Sequence, residues 1–263
     1  MSPAPTELDR VLAVESDRFR EVIEYAGADR TVPTCDQWSA DDLLWHLAEV
    51  QRFWAEVVGR RPAGPDSIDS PVRPGDRKQT LEFFDAAHRA LRTALADAED
   101  GEEAWTWTED QTVGFIRRRQ AHEALIHRVD AELTAGADIR SVEPRIAADG
   151  VDEILNVMIG GSPSWGEFDP EPATLGLETA DFDGRWLLRF GRFRGTSPQS
   201  GNTYDLDAAV LESDTARPDC TVRAPAWTLD RWLWGRAAGD EVTIDGQASL
   251  ATRLRAIATE VTQ

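Results

Sequence analysis

The apolar residues of this chain recur at helical spacing up to about residue 160, after which Gly, Pro and short alternating β-type segments take over. One layer of structure cannot satisfy both periods, so the reading is two domains: a helical one over 1–160 and a small α+β one over 161–263. With 263 residues there is mass for two cores without covalent staples. Only two cysteines occur, Cys35 and Cys220, with no C-x-x-C pair, which points to a reducing compartment. Residues Met1–Glu7 carry neither the basic region nor the apolar run of a secretion signal, and no apolar run approaches the roughly 18 residues that span a bilayer. The expectation is a cytoplasmic chain without a membrane partner. A formal charge of −20 repels phosphate backbones, so nucleic acid is not expected as a partner either.

Within the first part, residues 6–27 are expected to form an amphipathic helix with Leu8, Val11, Leu12, Val14, Phe19, Val22 and Ile23 on its inner face. Thr31–Trp38 reads as an irregular connection. Ser39 followed three residues later by Asp42 resembles a capping box and starts a second helix running to about Val58. Residues 60–76, with four prolines, form a long loop. A third helix is expected over Thr80–Asp97, a fourth over Thr112–Leu133 ending at Gly136, and a shorter one over 147–159. Four main helices with one long crossing loop predict a bundle. Beyond Gly160-Gly-Ser-Pro-Ser-Trp165, strands are expected over 174–179, 185–190, 204–211, 220–224 and 241–244, with helices over 228–236 and 248–259. Because these do not alternate as βαβ units, the sheet is expected to carry its helices on one side.

The four histidines are His46, His88, His122 and His127. In the second helix His46 shares a face with Leu43, Val50 and Phe53, which turns it toward the bundle interior. In the fourth helix Glu123 and His127 stand one turn apart on one face. A carboxylate and an imidazole inside a bundle are destabilising unless they are paired or bound to a metal supplied with ligands by facing helices. His122-Glu-Ala-Leu-Ile-His127 invites comparison with the H-E-x-x-H zinc motif, but the histidines are five apart, a phase difference of about 140°. His122 falls instead on the apolar stripe of Phe115, Ile126, Val129 and Leu133, so the consistent ligand set is His46, Glu123 and His127. Two imidazoles and one carboxylate leave the fourth position of a tetrahedral zinc, or another divalent ion, open for chemistry. Asp130, three residues after His127, is placed to accept from the second ring nitrogen. The alternative for these residues is a hydrogen-bonded polar pair on a partly wet face. His88 is expected at the surface, Arg117-Arg-Arg119 as a solvated face offsetting acids or, for one of the three, as the partner of an anionic ligand, Cys35 as a packed thiol, and the ten tryptophans chiefly as core or interface fillers.

Three stretches carry a resemblance: Val32-Pro-Thr-Cys-Asp-Gln-Trp-Ser-Ala-Asp-Asp-Leu-Leu-Trp-His-Leu-Ala-Glu-Val50, Arg119-Gln-Ala-His-Glu-Ala-Leu-Ile-His-Arg-Val-Asp-Ala-Glu132 and Leu233-Trp-Gly-Arg-Ala-Ala-Gly-Asp240. Together and in this order they resemble the mycothiol-dependent maleylpyruvate isomerase family. The resemblance implies a four-helix DinB-like bundle followed by a small α+β domain similar to sterol carrier proteins. It implies His46, Glu123 and His127 as metal ligands, zinc as the usual ion, and mycothiol as the thiol cosubstrate. The expected function is activation of that thiol on the metal for attack on an electrophile, ending in isomerisation or in S-transfer, so the partners are a small-molecule thiol and an electrophile. Arg236 is the candidate cation for anchoring substrate or stabilising an oxyanion, with a structural salt bridge as its other reading. Two further functions are compatible with the residues: a ligand-binding protein whose metal is structural, and a metal-assisted hydrolase.

Overall fold

A computed structural model describes residues 3–160, 163–198, 200–213 and 217–261. The chain divides into two units, Met1–Arg140 and Ser141–Gln263. The first holds four long helices: α1 (Pro5–Tyr25), α2 (Ala40–Arg60), α3 (Arg77–Ala96) and α4 (Val113–Ala135). Their starts are written in the sequence. Pro5 opens α1 at the position where a missing N–H is harmless. Ser39 and Asp42 cap α2 reciprocally: the Asp42 N–H donates to Ser39 Oγ at 3.2 Å and the Ser39 N–H to Asp42 Oδ2 at 2.9 Å. Asp76 accepts from the Gln79 N–H at 2.8 Å and Thr112 from the Phe115 N–H at 3.2 Å. Gly136, with φ +70°, takes the left-handed turn that ends α4.

Phe19, Ile23, Leu43, Leu44, Leu47 and Phe84 fill the space between α1, α2 and α3. Of the residues expected on the inner face of α1, Val14 is left exposed. α4 is enclosed nearly all round, polar residues included. Two buried arginines tie it down. Arg117 pairs with Asp9 and, at 2.7 Å, with Asp100, and donates to the carbonyls of Leu95 and Ala98. Arg128 pairs with Glu15 at 2.6 Å and Glu132 at 2.7 Å and donates to the carbonyl of Arg140. The expectation of a solvated arginine face is therefore corrected. Arg117 and Arg119 are 3% and 2% exposed, because a helix packed on several sides has no face to spare for water.

His88 is likewise buried rather than at the surface. Its Nδ1 meets Gln51 Oε1 at 3.1 Å, and Gln51 Nε2 donates to Ser16 Oγ at 2.8 Å, a polar chain linking α3, α2 and α1 through the bundle interior. Thr31–Ser39 is a small hairpin, β1 (Thr31–Val32) against β2 (Cys35–Ser39), where an irregular connection was expected. β-type residues on either side of Pro33-Thr34 account for the pairing.

In the second unit α5 (Pro144–Glu153) runs into a π-helical turn over Ile154–Ile159. The expected boundary near residue 160 thus moves to 140/141. Val151, Ile154, Leu155 and Ile159 belong to the core that also holds Leu175, Leu177, Leu188, Phe190, Val222, Leu229 and Leu254. Gly161 and Ser162, where the composition shifts, lie outside the described residues. The sheet is formed by β3 (Gly166–Thr179), β4 (Arg185–Thr196), β5 (Thr203–Glu212), β6 (Cys220–Ala224) and β7 (Thr243–Gly246), in the order β5-β4-β3-β6-β7. β3 and β6 pair in parallel, with Leu175 opposite Cys220, and the other neighbours are antiparallel. β3 starts eight residues before its expected position, its pairing with β4 interrupted by an irregularity between Pro170 and Thr174. Two helices complete the unit, α6 (Ala226–Leu233) and α7 (Ala248–Val261). Among the described residues, no helix is long and apolar enough to cross a membrane.

Candidate metal centre

Among the described residues, His46, Glu123 and His127 form the one group of three or more His, Cys, Asp or Glu side chains suited to hold an ion, their ligand atoms within 4.8 Å of one another. α2 presents His46 through the face it shares with Leu43 and Val50, and α4 presents Glu123 and His127 on consecutive turns. Both imidazoles aim Nε2 at the same carboxylate oxygen: Glu123 Oε1 lies 3.3 Å from His46 Nε2 and 3.2 Å from His127 Nε2. For a tetrahedral ion with bonds of about 2.0–2.1 Å, the ligand-to-ligand edge is about 3.3–3.4 Å. The two edges that meet at Glu123 Oε1 thus stand at the spacing that such an ion requires, and the chemistry of the donors, two neutral-capable imidazoles and one carboxylate, suits zinc. The rings are edge-on to one another, with centroids 4.8 Å apart, and Trp38 from β2 packs against His46 at 4.7 Å.

The surroundings orient these groups. His127 Nδ1 meets Asp130 Oδ2 at 2.9 Å, as the three-residue spacing predicts, which leaves Nε2 to face Glu123 Oε1. Thr34, in the turn between β1 and β2, donates to Asp130 Oδ1 at 2.6 Å. Arg119, one turn before Glu123, donates from Nη2 to Glu123 Oε2 at 2.6 Å. Burial alone would raise the Glu123 carboxyl, but the charges of His127 and Arg119 and the hydrogen bonds from both histidines hold it well below the usual carboxylate range. Burial would likewise lower His127, yet Glu123 and Asp130 together push it up to about 9. His127 is therefore a doubly bonded imidazolium, whose Nε2 proton an ion bound there would have to displace.

His122 is buried and outside this cluster, as its apolar stripe predicts. Arg119, Thr34 and Trp38 were not foreseen as parts of the site. For Arg119 the four-residue spacing to Glu123 was the available signal, whereas nothing local marks Thr34, whose partner is 96 residues away. Arg236 lies in the second unit. The N–H groups of Gly235 and Arg236 bond back to the carbonyls of Trp232 at 3.1 Å and Arg231 at 2.6 Å, with Gly235 at φ +81°. This left-handed closure of α6 fixes the Arg236 backbone, and its guanidinium donates to the Trp234 carbonyl.

Residues 10–132 match the profile of the mycothiol maleylpyruvate isomerase N-terminal domain, and residues 145–253 that of the MDMPI C-terminal domain. The fold is similar to the crystal structure of the mycothiol-dependent maleylpyruvate isomerase, with TM-score 0.56, 14% identity, and 92% of this chain and 93% of that chain covered. A histidine-to-alanine mutant of that isomerase gives TM-score 0.58 at 13% identity with the same coverage. No curated protein matches the chain significantly. Both halves of the chain, matched in order by the two domain profiles of one family, together with the shared fold, show that it belongs to the mycothiol-dependent maleylpyruvate isomerase family of enzymes.

Proposed function

We propose that this protein is a mycothiol-using enzyme whose His46, Glu123 and His127 hold a divalent metal, zinc in the first instance, beside which the thiol of mycothiol is activated. The convergence of both Nε2 atoms on Glu123 Oε1 carries this reading. A divalent ion held there supplies Lewis acidity, which lowers the pKa of a thiol at its open position. The reaction proposed is reversible addition of that sulfur to a conjugated double bond, rotation about the resulting single bond, and elimination: a cis–trans isomerisation of the maleylpyruvate type. Retention of the sulfur, which is S-transfer, is the variant outcome with other electrophiles.

The chain's own residues have distinct parts in this scheme. Asp130 holds the His127 Nδ1 proton and so keeps Nε2 available. Thr34 fixes Asp130 by donating to its other oxygen. Trp38 covers one side of the His46 ring and limits water there. Arg236 is proposed to bind the anionic part of the substrate. The setting proposed is the cytoplasm, with a small thiol and an electrophile as partners.

Calorimetric titration of mycothiol into zinc-loaded and chelator-treated protein, with glutathione as control, tests the reading. Binding that requires zinc, prefers mycothiol and releases a proton is expected. Equal binding to both forms, or none to the zinc form, refutes it, and turnover of a substrate without any thiol assigns the site to hydrolysis instead.

A further inference from the structure

The two oxygens of Glu123 are not equivalent. Oε1 faces both imidazoles, at 3.3 and 3.2 Å, while Oε2 is held by Arg119 at 2.6 Å. We infer that Arg119 is a positioning residue that keeps Glu123 a one-oxygen ligand and thereby keeps the fourth coordination position open. The inference rests on the metal-centre reading above and goes beyond it by naming what sets the number of bonds to the ion.

A carboxylate beside a divalent ion can bind through one oxygen or chelate through both. Chelation by Glu123 would add a protein donor to a set that already contains two nitrogens and one oxygen, and it would compete for the place a sulfur has to enter. The short charge-assisted bond to Arg119 removes Oε2 from that competition. Three features make the restraint firm. Arg119 and Glu123 lie on consecutive turns of α4, so the backbone itself sets their separation. The Arg119 side chain is 3% exposed, so water does not readily replace the bond. α4 is tied on either side of the pair by Arg117 and Arg128, which stops the helix from rotating to offer a different oxygen. Arg119 also offsets the charge of Glu123, so the field of the ion is left to favour an incoming anionic sulfur.

Cobalt(II), bound in place of zinc, reports coordination number through its visible absorption without reference to turnover. Titrations compare the parent protein with Arg119→Met, which removes the fork, and Arg119→Lys, which keeps one cationic donor. The parent is expected to give the intense bands of a four-coordinate ion. Arg119→Met is expected to bind cobalt with bands weakened severalfold, as Oε2 joins the ion, and Arg119→Lys to restore most of the parent intensity. Arg119→Gln replaces the Met variant if the latter does not fold. A folded Met or Gln variant that keeps the parent spectrum overturns the inference, as does one that binds no cobalt, since that outcome assigns Arg119 to the integrity of the site. A parent protein that binds no cobalt refutes the metal-centre reading itself.

Discussion

Acidification should unfold the bundle partly through one histidine outside the candidate metal cluster. His88 is 6% exposed, its Nδ1 is bonded to Gln51, and its Nε2 is buried without a hydrogen-bond partner. A proton on Nε2 would thus be a buried donor with no acceptor, and burial pushes the His88 imidazole down to about 4, against 6.5 in an unfolded chain. The nearby charges of Asp17 and Asp85 act against those of Arg92 and Arg89 and leave burial dominant. Between these two pH values the unfolded chain binds the proton and the folded one does not. Stability is therefore fully present above about pH 6.5 and is lost as the pH falls toward about 4. The separation corresponds to about 3 kcal/mol in all, of which roughly 2 kcal/mol is felt between about pH 7 and about pH 5. His88→Asn keeps a donor for Gln51 and does not titrate, so it carries a fixed destabilisation from lost packing but lacks this pH dependence. Urea unfolding followed by tryptophan fluorescence at the two pH values isolates the term, because carboxylates that titrate elsewhere contribute equally to both proteins. The variant should lose roughly 2 kcal/mol less than the parent on acidification. Equal losses in parent and variant would refute the argument that His88 is held neutral by burial, and His88→Phe, which matches the stacking on Phe84, offers the same comparison if the Asn variant is too unstable.

His46→Ala and His127→Ala should each abolish stoichiometric zinc binding while leaving the helical circular dichroism intact, whereas His122→Ala should retain the metal; loss of zinc from the His122 variant would break the ligand assignment. Asp130→Asn should weaken zinc affinity by roughly 10–100-fold in competition with a chelating dye, since it removes the charged acceptor that orients His127, and an unchanged affinity would deny Asp130 that part. Gly235→Ala should lower stability by roughly 1–2 kcal/mol in thermal unfolding, because the position requires φ +81° and an added Cβ would lie 2.9 Å from Arg255 Nη2; an unaltered midpoint would contradict the closure described for α6. Arg236→Gln should raise KM for an anionic electrophile severalfold with zinc content unchanged, and parent-like kinetics would return Arg236 to a purely structural place.

The grouping of His46, Glu123 and His127 was legible from helix phase. His46 shares its face with apolar positions of α2, Glu123 and His127 share one on α4, and the three-residue step to Asp130 was readable on the same ground. Phase fails where a helix has no outside. α4 buries Arg117 and Arg128, and one acid that pairs with each, Asp9 and Glu15 respectively, is 108 and 113 residues away in sequence, beyond any local window. His88 was misread for the same reason, since its partner Gln51 stands on another helix. The boundary near residue 160 was misplaced because α5 has ordinary helical spacing. What assigns it to the second unit is the sheet against which Val151, Ile154 and Leu155 pack. The hairpin at Thr31–Ser39 is too short for a period-two pattern to register.

The anchoring of α4 also bears on how the metal would arrive. Arg117 and Arg128 bracket Glu123 and His127 and bind partners that need no metal, so a receptor for an ion at the proposed site would be assembled before loading. Uptake should then be a single capture event, its observed rate rising in proportion to free zinc without a plateau, because no slow ordering step precedes it. The proton on His127 would be the remaining gate, which would make the speed of loading a matter of pH.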